Sequence, residues 1–365
     1  MEEGRAGLVL KERFMRRMLL LAALVVLGMP GRGWAQPRDR IDDLYGEETI
    51  TEEDRQQIRT WLQARAANLT ASTDPELKQM VAARREIVSA GRPGSGRSQA
   101  FLEVFGEEVV AALTEAGKKA VSQEARLNLV MTVAGLEDVN ALPLLLDVLT
   151  KDPYAASRYW AAKGVAMVAP RVIEKVLPGA ERQIIQGVDK AFDAEASGFT
   201  LNYLFEILAR FDREDSHDVL ATGAARVAMR LKASDPAVAR SLGLAVRSLR
   251  DAYARDARPE AKTRILTTYA ILCAWIMPPV ADPNLMVSVN AALEAITNEG
   301  VGFSAGFDQE MQKMALMEWI ERLVRLGRIP RRPPLPPAIE KAVEAAKGET
   351  APEKASGATA PKPTS

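Results

Sequence analysis

The chain has 365 residues, of which 47% are hydrophobic and 26% are charged, a balance typical of a folded protein rather than a disordered one. Its 48 basic and 48 acidic residues cancel, so no net field draws it to nucleic acid or to an anionic membrane. A single cysteine, Cys273, excludes an internal disulfide, and a single histidine, His217, excludes paired-histidine metal sites within the chain. The sequence therefore predicts no nucleic-acid partner, no cofactor, no metal and no catalytic constellation.

Residues 1–35 have the pattern of a secretory signal peptide. The basic residues that come first are Lys11, Arg13, Arg16 and Arg17. An apolar run of ten residues, Met18–Leu27, follows, and Gly-Trp-Ala at 33–35 is a small-x-small cleavage site. A membrane anchor is the alternative, but a span needs about 20 apolar residues. We expect cleavage after Ala35, a periplasmic or secreted bacterial protein, and no stable membrane span in the mature chain.

Residues 36–98 are predicted to be an N-terminal helical segment that ends in a Gly/Arg linker. Thr51 and Asp54 have the spacing of a capping box that begins a helix through about Asn68, and Asp74 and Pro75 begin another. Residues 91–98 have the spacing of a phosphate-binding G-x-x-x-x-G-K-S loop, with Arg in place of Lys. That loop needs a preceding strand, whereas a helix is predicted here, so we interpret the segment as a linker beginning a helix after Ser98.

Residues 99–327 read as helix after helix. The predicted helices are 99–117, 122–135, 140–150, 154–168, 171–177, 181–195, 199–211, 216–232, 236–255, 260–277, 283–298 and 307–327. Most links are short, which makes neighbouring helices antiparallel and favours a stack of hairpins. Asp-Pro pairs at 74, 152, 235 and 282 are 78, 83 and 47 residues apart, close to multiples of a 40–47-residue repeat.

Two amphipathic helices in Leu136–Pro170 carry the strongest signal. Leucines at 142, 145, 146 and 149 recur on one face of the first helix and predict burial. Asp152 and Pro153 are expected to be the N-cap and the first residue of the second. The residues predicted to line one side of this second helix are Ser157, Ala161, Val165 and Val168, with Ala162 and Gly164 allowing close approach.

This stretch resembles one repeat of the HEAT family: an apolar helix, Asp152 in the turn, Arg158 six residues later and an Ala-Ala pair at 161–162. The resemblance implies an all-α, HEAT-like α-solenoid and a structural polar ladder that includes Asp152 and Arg158. A solvated charge is the alternative for Arg158. Six residues after Asp235 and Asp282 the chain has serine, so the Arg pattern is not continued there.

The remaining segments yield smaller predictions. Residues 328–365 are rich in Pro, Ala and Lys and are expected to be a disordered tail. Trp160 and Trp319 are candidate interface residues, with packing between repeats as the alternative. His217 is expected to be a surface residue in a first helical turn. The acidic cluster beside it, which is expected to cap that helix or, as the alternative, to bind a divalent ion, consists of Asp212, Glu214, Asp215 and Asp218.

The function predicted from these features is an exported, non-enzymatic scaffold of helical repeats that binds a protein or peptide partner in the cell envelope. The alternative is a carboxylate-based hydrolase or lyase acting on an envelope polymer, which requires two carboxyl groups roughly 5–9.5 Å apart and at least one raised pKa. Self-association is a third reading, and the sequence leaves the oligomeric state open.

Overall fold

The computed structural model describes residues 40–70, 74–94, 96–120, 122–231, 235–275 and 283–298, with single residues and pairs between 308 and 325. The predicted signal peptide 1–35, the tail 328–365 and Trp319 lie outside the described residues, and those predictions remain predictions. Residues 1–42 and residues 43–365 are two separate units, and the twelve α-helices below all belong to the second unit.

Twelve α-helices are formed by the described residues, besides the 3-10 helices Arg40–Leu44 and Val139–Ala141. They are α1 Glu52–Leu69, α2 Asp74–Gly91, α3 Gln99–Lys119, α4 Gln123–Leu136, α5 Leu142–Lys151, α6 Ala155–Glu174, α7 Pro178–Ala191, α8 Gly198–Arg210, α9 Glu214–Arg230, α10 Pro236–Arg255, α11 Pro259–Trp275 and α12 Pro283–Thr297. No strand occurs among the residues that the structure describes.

The helices form two layers. In the even layer each helix packs on the next even helix: α2 on α4, α4 on α6, α6 on α8, α8 on α10 and α10 on α12. In the odd layer α1 packs on α3, α5 on α7, α7 on α9 and α9 on α11, while the 3-10 helix Val139–Ala141 packs on α3. Each hairpin thus covers the apolar faces of its neighbours. The predicted all-α solenoid is confirmed.

Side-chain caps fix the beginnings of several helices. Thr51 Oγ1 accepts from the Asp54 amide at 3.2 Å while the Asp54 carboxylate accepts from the Thr51 amide at 2.9 Å, which confirms the capping box. Ser98 caps α3 through the Phe101 amide, so this helix begins at Gln99 as expected. The segment before Ser98 follows helix α2, and a phosphate-binding loop would need a strand there.

The central hairpin, α5 with α6, is buried largely as its pattern predicted. Of the four leucines in α5, Leu146 is half-buried beside Gly187 of α7, and the other three are buried. A Cβ on Gly164 would lie 2.8 Å from Leu145 and 2.9 Å from Ala134, so glycine permits the close packing of α6 on two neighbours. The small residues of α6 therefore set the spacing of the stack.

Two details of this hairpin were predicted wrongly. Helix α6 begins at Ala155 with Tyr154 as its N-cap, because the Asp152 carboxylate accepts from the Tyr154 amide at 2.8 Å and stabilises a turn first. The helix also continues through Pro170 to Glu174, whereas the sequence predicts a break. Pro170 is exposed and forgoes one helical hydrogen bond, while buried Val172 beyond it keeps the helix packed.

Candidate protein-interaction surface

The outer stripe of two neighbouring even-layer helices carries four aromatic side chains, here called the aromatic face: Tyr159 and Trp160 of α6, and Phe199 and Tyr203 of α8. Phe199 is 49% exposed and the other three are half-buried. Edge-on ring contacts connect Tyr159 to Trp160 at 5.9 Å and to Tyr203 at 5.5 Å. Three of the four rings therefore form a continuous contact across the α6–α8 junction.

The burial pattern of α6 and α8 explains why the aromatics point outward. In α6 the buried side chains, among them Ala161, Val165 and Val168, face the core and leave positions 159, 160 and 163 on the opposite side. Helix α8 buries Leu201, Leu204 and Leu208 in the same way. The aromatic residues thus occupy helix positions that are ordinarily polar, which makes their exposure informative.

Two polar contacts hold this face. Lys163 lies one turn after Trp160, and its Nζ is 4.5 Å from the centroid of the indole ring, a cation–π geometry. Burial, together with a hydrogen bond to Tyr159, raises the pKa of Tyr203 to about 12. The phenol therefore stays neutral at physiological pH, which makes it a hydrogen-bonding group of the surface rather than an ionised nucleophile.

Helix α8 is held tightly against α10 at its beginning. A Cβ on Gly198 would lie 2.3 Å from the carbonyl carbon of Ala237, so only glycine lets the two backbones touch. This contact fixes the level of Phe199 relative to α10. The surface rests on rigid packed helices, and its large rings with polar edges are the composition of protein-interaction hot spots.

Arg158 and Asp152, the predicted ladder residues, both lie in a polar row but do not pair through their side chains. Arg158 donates to the backbone carbonyl of Asp152 at 3.0 Å and pairs with Glu195, which is 1% exposed, at 2.8 Å. The Asp152 carboxylate lies 3.6 Å from Arg126 instead. The alternative of a solvated Arg158 is therefore wrong, while the family's ladder role for the two residues stays a prediction.

His217 is buried, with 5% exposure, although the sequence predicted a surface position. Its Nδ1 is 3.0 Å from Asp256, whose carboxylate also accepts from Arg258 at 2.8 Å. Chiefly the Arg258 hydrogen bond, reinforced by His217, lowers the pKa of Asp256 far below its ordinary range. This cluster could not be predicted from local patterns, because His217 and Asp256 are 39 residues apart.

The acidic cluster beside His217 is neutralised by arginines. Its pairings are Asp212 with Arg255, Asp215 with Arg213, and Asp218 with both Arg258 and Arg264. Glu214 lies 3.6 Å from Arg258. Among the described residues, no group of three or more His, Cys, Asp or Glu side chains has the arrangement of a metal site. The cluster also leaves the N-cap of α9, Arg213, without a side-chain cap.

Only one residue of the aromatic face, Trp160, was a candidate from the sequence. Tyr159, Phe199 and Tyr203 were missed, although Phe199 and Tyr203 are four residues apart, opposite the leucines of α8. Aromatics on the polar side of an amphipathic pattern are the signal that could have found them. The ring contact between α6 and α8 carries no local signal, because it joins residues that are 44 positions apart.

These features define an α-solenoid with an exposed aromatic surface, a fold compatible with a scaffold or binding role. Comparison with known proteins gives no family: no family model matches, and no curated protein matches. None of the described helices is long and apolar enough to cross a membrane.

Solved structures of low similarity do match. The crystal structure of an engineered protein is 13% identical, covering 72% of this chain and 100% of that one, with a TM-score of 0.34. A designed armadillo repeat protein in complex with the peptide (KR)4 is 16% identical over 70% of this chain and 98% of that one, with a TM-score of 0.26. Another engineered protein is 14% identical, with coverages of 85% and 82% and a TM-score of 0.28.

Proposed function

We propose that the protein is an exported, non-enzymatic scaffold that binds a protein or peptide segment of the cell envelope on its aromatic face. The observation that carries the binding role is the contact of Tyr159 with both Trp160 and Tyr203 on an outer helical stripe. Keeping rings half-exposed there forgoes the burial of apolar surface, worth about 25 cal/mol per Å². A partner that covers the rings would recover that free energy.

A binding role is also favoured over the alternative of a carboxylate-based hydrolase. That alternative requires a carboxyl group with a raised pKa. Among the described carboxyl groups with a clear shift, hydrogen bonds lower the pKa, as the Arg59 guanidinium does for Glu108 and that of Arg258 for Asp256. Buried Glu195 is fully engaged by Arg158 and two backbone amides. These acids act as anchors for neighbouring repeats.

The binding role is tested by capture from an envelope extract with matched variants. The wild-type chain and the Trp160→Ala/Tyr203→Ala double variant are immobilised in equal amounts, and retained proteins are compared. A matched control is Arg182→Ala/Lys190→Ala, which alters exposed residues of α7 in the other layer. We expect a defined protein that is retained by the wild type and the control but lost with the aromatic variant.

Retention that is equal for all three proteins contradicts a role of the aromatic face. Circular dichroism and thermal unfolding of each variant distinguish a lost surface from a lost fold. The export part of the proposal is tested separately by N-terminal sequencing of the mature chain from fractionated cells. A chain that begins after Ala35 in the periplasm or medium supports it, and an unprocessed cytoplasmic chain contradicts it.

A further inference from the structure

The charges on the outer faces of α6, α8 and α10 leave a positive surplus beside the aromatic face. Most charged residues of these helices are already paired within the described chain. The pairs are Arg158 with Glu195, Arg171 with Glu137, Arg210 with Glu206, Arg250 with Asp251, and Arg255 with Asp212. Within the described part of the chain, the basic residues of these helices without an ion pair are Lys163, Arg240 and Arg247, and the acidic residue without one is Glu174.

The two arginines of α10 are exposed, and neither guanidinium has a hydrogen bond or ion pair among the described residues. They are seven residues apart, close to two full helical turns, so they lie on the same side of α10 at a rise of about 10.5 Å. Each guanidinium offers five N–H donors in a planar fork that matches a carboxylate. Arg240 and Arg247 therefore form a pair of open anion contacts.

Packing brings Arg240 to the edge of the aromatic face, and Arg247 lies two turns further along α10. The backbones of α8 and α10 touch where Gly198 meets Ala237, and the helices run in the same direction because both are even-layer elements. Arg240 lies one turn after Ala237. Along the helix axis this places Arg240 between the levels of Phe199 and Tyr203 on α8. Neighbouring packed helices are about 8–10 Å apart. Rings and guanidinium groups are thus adjacent parts of one surface.

From this arrangement we infer that the aromatic face binds an acidic, extended peptide segment, with rings or prolines of the ligand on Trp160 and Tyr203 and carboxylates on Arg240 and Arg247. Crossing from α6 to α10 covers two helix spacings, about 18 Å. An extended chain covers that distance in about six residues. The inference rests on the proposed binding function and adds the charge and length of the ligand.

Two synthetic peptides that differ only in charge sign test it. The probes are fluorescein-labelled (PE)4 and (PK)4, both of which favour an extended polyproline II chain that stacks on aromatic rings. Their affinities for the full-length protein are measured by fluorescence anisotropy at low and at high salt. We expect (PE)4 to bind at least tenfold more tightly than (PK)4, and the difference to shrink at high salt.

Variants separate this inference from the function on which it rests. Arg240→Glu/Arg247→Glu is expected to abolish or reverse the preference, and Arg240→Ala/Arg247→Ala to weaken (PE)4 binding about tenfold. Trp160→Ala/Tyr203→Ala is expected to weaken both peptides equally. If the two peptides bind equally well and the aromatic variant binds neither, the inference about charge is overturned, but the binding role of the aromatic face is supported. Binding of neither peptide at millimolar concentration overturns the inference, and binding that is unaffected by the aromatic variant contradicts the proposed function.

Discussion

The loop edges of the solenoid differ from the outer face of its even layer in whether charged side chains bond to neighbouring repeats. At the edges, the fourth residue of several helices bonds to the next loop along the same edge. These pairs are Arg126 with Asp152, Arg158 with Glu195, Glu181 with Arg213, and His217 with Asp256. On the outer face, Arg240 and Arg247 have no such partner among the residues that the structure describes. Charges at the edges join repeats to each other, whereas these two arginines are available to another molecule.

The bonds recur at the fourth residue of a helix for a geometric reason. Side chains in the first turn of a helix lean back toward its N-terminus, so the fourth residue reaches its own entry loop and the loop beside it. Arg126 donates to the carbonyl of Ala120 at 3.2 Å and Arg158 to that of Asp152 at 3.0 Å, in each case six residues earlier. Each arginine thus bonds one loop through a carbonyl and the next through a carboxylate.

Breaking an edge pair should have the largest effect on stability. Replacing Arg158 by alanine removes the guanidinium that pairs with the carboxylate of buried Glu195, and loss of one partner of a buried pair costs about 3–5 kcal/mol. We expect the free energy of unfolding, measured by urea denaturation, to fall by that amount. Arg158→Lys keeps the charge but not the forked contacts, and should lose less.

Arg182→Ala is the matched control, because it removes an exposed arginine that has no bonded partner among the described residues. Its effect should stay within about 0.5 kcal/mol. A loss below 1 kcal/mol for Arg158→Ala, on this scale, would show that the edge contact is no stronger than an exposed charge. The contrast between edge and face would then have no energetic basis.

A second edge contact, that of His217 with Asp256, should affect how the free energy of unfolding changes at acid pH. The pKa of Asp256 is lowered, first by the Arg258 hydrogen bond, so the unfolded chain binds more protons there than the folded chain in acid. The stability that its carboxylate contributes is fully present above the ordinary pKa of 3.8 and is lost as pH falls toward the folded value. Arg258 and His217 bond to the Asp256 carboxylate directly, and Arg258 in turn contacts Asp218 and Glu214.

Thermal unfolding at pH 4.5 and at pH 2.5 measures this contribution, compared between the wild type and Asp256→Asn. Other carboxylates with lowered pKa, such as Glu108 and Asp215, contribute to both proteins, so the difference isolates Asp256. We expect Asp256→Asn to be less stable at pH 4.5 and to lose less on acidification. An equal loss of stability in the two proteins upon acidification would contradict this role of the Asp256 carboxylate.

A smaller, stabilising effect is expected at the turn between α6 and α7. Val176 has φ of 51° and is 76% exposed, so a β-branched residue occupies the left-handed conformation that commonly ends a helix with glycine. Val176→Gly should raise the free energy of unfolding by about 1 kcal/mol. Lys175→Gly, at an ordinary φ of −80°, is the control and should destabilise instead.

Local patterns in the sequence predicted the fold because a solenoid is built from local units. The leucines of α5 and the caps at Thr51 and Ser98 act within a few residues, so they could be identified without a structure. The break predicted at Pro170 was wrong because packing of Val172 against the stack outweighs the loss of one helical hydrogen bond. Tertiary burial was the missing information.

The candidate surface and the edge pairs were harder to predict, because their members belong to different repeats. Tyr159 meets Tyr203 across 44 residues, and His217 meets Asp256 across 39. Helices of unequal length make the spacing of equivalent positions irregular, so no fixed period connects them. Trp160 could be proposed because tryptophan is enriched among interface anchors, whereas its neighbours gain meaning only from the packing of α6 on α8.

Substitution of Arg240 and Arg247 should have the smallest effect on stability, and it is the sharpest test of the difference between the loop edges and the outer face. Because neither guanidinium bonds to another described residue, Arg240→Ala/Arg247→Ala should change the free energy of unfolding by no more than about 0.5 kcal/mol. The same variant should weaken (PE)4 binding about tenfold in the anisotropy assay. Arg158→Ala, assayed at a temperature where it remains folded, should show the reverse: a large loss of stability with unchanged affinity. If both variants lose stability and affinity together, the face and the edges act as one cooperative unit, and the arginines of α10 stabilise the stack instead of a ligand.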